Sequence, residues 1–123
     1  MARVLINIPP RARRGEIIEI KTLIAHPMET GYRLDNTGRA IPRDIIKLFV
    51  CTYNGEEIFR ADLYPAIAAN PFLAFFTTAT ESGAFVFSWT DDAGQVQTET
   101  RPGYERRDSR NETLGNEDGI ARP

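Results

Sequence analysis

The chain has 123 residues, a net charge of −2, 41% hydrophobic and 26% charged residues. That is one soluble-type domain, long enough to bury about two thirds of the surface its unfolded chain exposes. The charge balance excludes a partner bound through many neutralised phosphates, and no apolar run approaches the ~20 residues of a membrane-spanning helix. Expected partners are therefore neither nucleic acid nor membrane.

The patterning has mostly period two. In "RVLINI" (Arg3 to Ile8), Val4, Ile6 and Ile8 share one face while Arg3, Leu5 and Asn7 share the other, and Pro9-Pro10 ends the run. "EIIEIKTLIA" (Glu16 to Ala25) sets Glu19 and Lys21 against Ile18, Ile20, Thr22 and Ile24, the signature of a half-buried strand. From His26 to Asp44 prolines, glycines and charges dominate. A long loop is expected there, and long loops in compact domains are commonly functional.

"IIKLFVCTY" (Ile45 to Tyr53) and "EIFRADL" (Glu57 to Leu63) flank Asn54-Gly55, the preferred pair for a hairpin turn with positive φ at both central positions. "AIAAN", between Pro65 and Pro71, reads as a helical turn or irregular crossover. "FLAFFTTAT" (Phe72 to Thr80) and "AFVFSWT" (Ala84 to Thr90) are two further strands, and Asp91-Asp92-Ala93-Gly94 turns into "QVQTET". About seven short strands without an amphipathic helix predict an all-β, immunoglobulin-like antiparallel sandwich. Its core is expected to draw on Ile6, Ile18, Ile20, Phe49, Phe75, Phe85, Phe87 and Trp89. Residues 1–100 form this domain. Residues 101–123 are too polar to offset their ordering entropy and are expected to be a disordered extension.

Few residues offer chemistry. Cys51 is the sole cysteine, which excludes an internal disulfide and a cysteine-rich zinc site. Within an apolar strand it reads as a small packed hydrophobe, since a reactive thiol needs an electropositive, partly exposed setting. His26, the sole histidine, has Cys51 and Asp44 as conceivable partners in general-base chemistry and Met28 as a second soft-metal ligand, but no spacing selects either. Loop termination and partner contact is the plainer reading. Asp91-Asp92-Ala93-Gly94 lacks the further ligands of a calcium loop and reads as a hairpin turn. Arg11, Arg13 and Arg14 read as a solvated basic patch, without the glycine-rich loop or helix start of an anion site. Arg13-Arg14 also precedes "GEIIEIK", which is charged, so it does not read as a twin-arginine export signal. No phosphate-binding, zinc-protease or nucleophile-elbow motif occurs, so no catalytic residue, cofactor or metal is expected.

"INIPPRARRGEIIEIKTLIAHPMETGYR", "IPRDII", "FVCTYNGEEIFRADLYPAIAANPF" and "FSWTDDAG" together resemble the SoxZ family over about the first hundred residues. The resemblance implies a non-catalytic sandwich subunit that pairs with SoxY in thiosulfate oxidation. SoxY would carry the sulfur intermediate on the cysteine of a mobile arm, visited by the Sox cytochrome, hydrolase and sulfur dehydrogenase. It further implies a periplasmic location reached by co-export with SoxY, whereas the N-terminus alone, lacking a signal sequence, leaves cytoplasm or such co-export open. Arg101-Pro102-Gly103 interrupts the alternation that the family's last strand usually continues, so either that strand is short or the sequence end departs from the family, and the resemblance is carried no further than Thr100. On a rigid sandwich, recognition belongs to loops. His26, Met28, Glu29 and Tyr32 are accordingly the expected partner-binding residues, and a free-standing adhesion-type module or a small thiol or metal enzyme are the competing readings.

Overall fold

A computed structural model of the protein describes residues 2–103 and, beyond them, three short strand segments at 105–106, 114–116 and 119–121. The long strands are β1 (Val4–Asn7), β3 (Ile17–Ile24), β4 (Ile46–Tyr53), β5 (Glu56–Asp62), β6 (Phe72–Thr78), β7 (Ala84–Asp91) and β8 (Val96–Pro102). They form two antiparallel sheets, one in the order β1-β3-β6 and one in the order β5-β4-β7-β8. A two-residue strand, β2 (Arg11–Ala12), runs parallel to β9 (Glu105–Arg106), while β10 (Leu114–Asn116) pairs with β11 (Gly119–Ala121). The described residues contain no helix, and the "AIAAN" crossover is irregular, with a single turn closed by Ile67 N–H on the Tyr64 carbonyl at 2.9 Å.

Alternation places the core as expected. Ile18, Ile20, Phe49, Phe75, Phe85, Phe87 and Trp89 are buried. Ile6 is only partly buried, because β1 is an edge strand, though it still packs against the core. Phe49 is the hub: its ring lies 5.3 Å from Trp89, 6.0 Å from Phe59 and Phe75, and 6.4 Å from Phe87. Phe59 of one sheet stacks on Phe75 of the other at 4.4 Å and 3°, closing the sandwich along the β5/β6 side. On the opposite side, the Gln97 amide donates to the Ala2 carbonyl at 2.8 Å and accepts the Ala2 N–H at 3.0 Å.

The turns follow their residues. Asn54 and Gly55 have φ of 51° and 85°, the two positive values a tight hairpin requires. The Asn54 side chain accepts the Ala84 N–H at 2.9 Å, and a Cβ at Gly83 would fall 1.8 Å from that same amide oxygen, so a side chain there would displace the Asn54 amide. The last strand is not cut short. β8 does not stop at Thr100 but runs on through Arg101 and Pro102, opposite Phe85 and Ala84. It is an edge strand, where proline's missing donor costs nothing, and the Arg101 guanidinium meets Glu99 at 3.1 Å. The disorder expected from Arg101 onward falls mainly on residues outside the described ones.

Phe49→Ala should cost about 3–5 kcal/mol, by the lost transfer free energy and the cavity left behind, read as a lower urea midpoint at unchanged m-value. Phe72→Ala, on an exposed position of β6, should shift stability by less than about 1 kcal/mol. Equal losses would contradict the core assignment.

Candidate interaction surface

The loop between β3 and β4 is more ordered than its composition suggests. At its root, the His26 N–H donates to the Asn70 side chain at 2.9 Å, and the Asn70 N–H donates back to the His26 carbonyl at 2.7 Å. His26 Nδ1 accepts the Met28 N–H at 3.0 Å, and Nε2 lies 3.7 Å from an Asp44 carboxylate oxygen. Met28, at a φ of 54°, turns inward, and its sulfur accepts the Ile46 N–H at 3.3 Å. Glu29 and Asp44 then exchange two backbone hydrogen bonds of 2.9 Å each, so both ends of the loop are held together.

Beyond that bridge the chain forms a small hairpin. Ile41 N–H donates to the Arg33 carbonyl and Asp35 N–H to the Arg39 carbonyl, both at 2.8 Å. The Asp35 carboxylate accepts the Thr37 hydroxyl at 2.7 Å and the backbone N–H groups of Thr37 and Arg39, which holds its pKa below the usual range, the Thr37 side chain contributing most. Arg33 grips Glu29 through two hydrogen bonds, the shorter 2.6 Å, and lowers that carboxyl's pKa. Arg43 clamps Asp92 with two bonds of 2.8 Å, tying the loop to the β7–β8 turn and lowering the Asp92 pKa. What the loop presents outward is Tyr32, 84% exposed, and Leu34, 60% exposed.

The expected contact residues therefore divide. Tyr32 faces solvent and is available to a partner. Met28 is buried, because the positive φ directs its side chain under Ile46, so it anchors the loop from inside. Glu29 is held by Arg33, and His26 serves the loop root, its side chain 12% exposed. Leu34 was not among them. It sits between Arg33 and Asp35 in a charged stretch, and only the hairpin register turns it outward.

The other candidates resolve as structural groups. Asp91 accepts the Ala93 and Gln95 N–H groups at 3.0 and 2.9 Å while Asp92 serves Arg43, so both carboxylates are occupied by a hairpin turn. Among the described residues, no cluster of three or more His, Cys, Asp or Glu is arranged to hold a metal ion. Cys51 is fully buried in β4, opposite Phe59 and Phe87, with its thiol directed at the Thr52 carbonyl at 3.8 Å. Burial pushes its pKa up from 9.0 to about 12. His26 and Cys51 share no hydrogen bond, so the structure does not assemble the thiol–imidazole pair.

A second outward-facing apolar surface went unrecognised in the sequence. Leu5, Ile17, Phe72 and Phe76 are all exposed on the outer side of the three-stranded sheet. The signal was present in "FLAFFTT", which is apolar at both phases of its alternation.

Fold and loop together define an immunoglobulin-like sandwich with a braced β3–β4 loop. The family model described as "Sulphur oxidation protein SoxZ" matches residues 6–102, and the chain belongs to the SoxZ family. Its role accordingly lies in Sox sulfur oxidation. No curated protein matches the sequence. Among solved structures, superoxide reductase (neelaredoxin) from Ignicoccus hospitalis is similar at 12% identity and a TM-score of 0.64, covering 86% of this chain and 82% of that one. The sulfur carrier protein SoxY from Chlorobium limicola f thiosulfatophilum is similar at 11% identity and a TM-score of 0.57, covering 85% of this chain and 78% of that one. Identities this low establish the shared fold alone.

Because the Cys51 pKa is raised, the thiol favours the fold fully below its unfolded pKa. That contribution is lost as pH rises from about 9 toward about 12. At pH 8, alkylation of native Cys51 by iodoacetamide should be slower than in denaturant by at least ~100-fold, since the thiolate is the nucleophile. Equal rates would show an accessible thiol.

Proposed function

We propose that this protein is the non-catalytic sandwich subunit of a SoxYZ sulfur-carrier complex. It binds SoxY, and the cysteine on SoxY's mobile arm carries the sulfur intermediate between the Sox cytochrome, hydrolase and sulfur dehydrogenase. The observation that carries this reading is the position of Cys51. A sulfur-bearing cysteine must enter several active sites in turn, which requires a mobile, exposed thiolate. Cys51 is instead fully buried mid-strand with its thiol held protonated. In a member of the SoxZ family, that supports a reading with the chemistry on the partner and the support role on this chain. The reading includes no cofactor or metal in this subunit, and a periplasmic location reached by co-export with SoxY.

The braced loop suits brief contacts with visiting enzymes. Tyr32 and Leu34 offer a small apolar tip on a backbone that is already ordered, so little entropy is lost on binding.

In reconstituted thiosulfate oxidation with SoxY and the visiting enzymes, Cys51→Ala should keep the wild-type rate, with at most a modest drop in melting temperature. A Cys51→Ala complex that assembles normally yet fails to oxidise thiosulfate would give this cysteine a direct role and end the reading.

A further inference from the structure

The two outer faces of the sandwich differ in kind. On the four-stranded sheet, alternation turns Leu48, Val50, Val86, Ser88, Thr90, Val96, Thr98 and Thr100 outward beside the charged Arg60 and Asp62 of β5, a mixed surface on which Val96, at 57%, is among the described residues the one exposed large apolar side chain. On the three-stranded sheet the outward positions include Leu5 at 62%, Ile17 at 69%, Phe72 at 58% and Phe76 at 66% exposed. Register joins them into one surface. Leu5 stands opposite Leu23, which stands opposite Phe72, making an apolar row across all three strands. Further along, Phe76 is opposite Glu19, with Ile17 two residues beyond on β3. Leu5, Leu23 and Phe72, with Asn7 and Lys21, border a shallow depression of about 420 Å³.

Size and charge say what fits there. With an aromatic side chain worth roughly 150–250 Å² of buried area, these exposures put the patch at on the order of 400–500 Å². That is a plausible apolar centre for one side of a standard interface of about 800 Å² per partner. Glu19 and Lys21, the charged side chains between the two apolar clusters, approach each other at 3.9 Å, so this part of the face carries no net charge. A neutral apolar sheet face is poorly matched to nucleic acid or an anionic lipid surface. It fits another apolar sheet face, packed as one sandwich layer on the next.

Resting on the reading of the chain as the support subunit, the geometry points to the outer face of β1-β3-β6 as the permanent docking surface for SoxY, centred on Phe72 and Phe76. The loop tip at Tyr32 lies outside that contact. A long-lived complex needs buried apolar area of this kind, whereas the loop offers only two exposed apolar side chains for transient visitors.

The test is titration of the full-length chain with the SoxY subunit from the same source, beside sedimentation of the chain alone. The double variant Phe72→Glu/Phe76→Glu should keep the wild-type circular dichroism spectrum and bind SoxY at least ~100-fold more weakly. Ala74→Arg, which adds a charge at the centre of the face and removes no apolar group, should weaken binding likewise, while Tyr32→Ala binds as wild type. Folded face variants that bind SoxY at wild-type strength would overturn the docking surface and leave the functional reading standing. A wild-type chain that does not bind SoxY would overturn that reading itself, and the docking surface with it. Self-association of the wild-type chain, abolished by the face substitutions while SoxY binding persists, would give the face to a second copy and also overturn the proposal.

Discussion

Everything in this molecule hangs on the aromatic packing around Phe49. That ring touches Phe59 and Trp89 of its own sheet and Phe75 of the facing one, so it joins both layers at the centre of the core. The Phe59–Phe75 stack extends the same contact to the edge. Aromatic side chains pack here because period-two alternation on β4, β6 and β7 delivers them all to one side. A one-residue slip would turn every one of them to solvent. The core thereby fixes the register, and the register fixes which residues face outward on both sheets.

Two consequences bear on function. The core encloses Cys51 and withholds its thiol from chemistry, since a thiolate there would be a buried charge among aromatic rings without a counter-ion. The same rigidity lets the sandwich act as a platform. The Arg43–Asp92 clamp and the Met28 sulfur bond fasten the β3–β4 loop to the body of the sandwich. A carrier complex needs one part that moves and one that stays fixed. In the proposed function this chain is the fixed part.

Much of this was legible in the sequence. Asn54-Gly55 announced its hairpin, alternation located seven of the eight expected core residues, and the HPMETG and NGEEIFRADL strings carried the family resemblance. The interior of the β3–β4 loop was not legible, because its order comes from side chains that reach across the fold. Arg43 finds Asp92 across 49 residues, and His26 meets Asn70 across 44. Met28 reads in sequence as an adaptable contact residue, and only its positive φ reveals it as an internal anchor. The apolar outer face was hidden for a different reason. A strand apolar on both sides looks like an ordinary buried strand until the number of layers is known. Among the described residues, no further layer covers Phe72 and Phe76 on β6.

The central claim is that sulfur is carried by the partner and not by this chain. The most direct measurement is intact-mass analysis of both subunits after the assembled complex has been loaded with thiosulfate by the visiting cytochrome. The account predicts a sulfur-containing adduct on SoxY that reducing agent removes, with this chain remaining at its unmodified mass. A reducible adduct on this chain, located at Cys51 by peptide mapping, would contradict it.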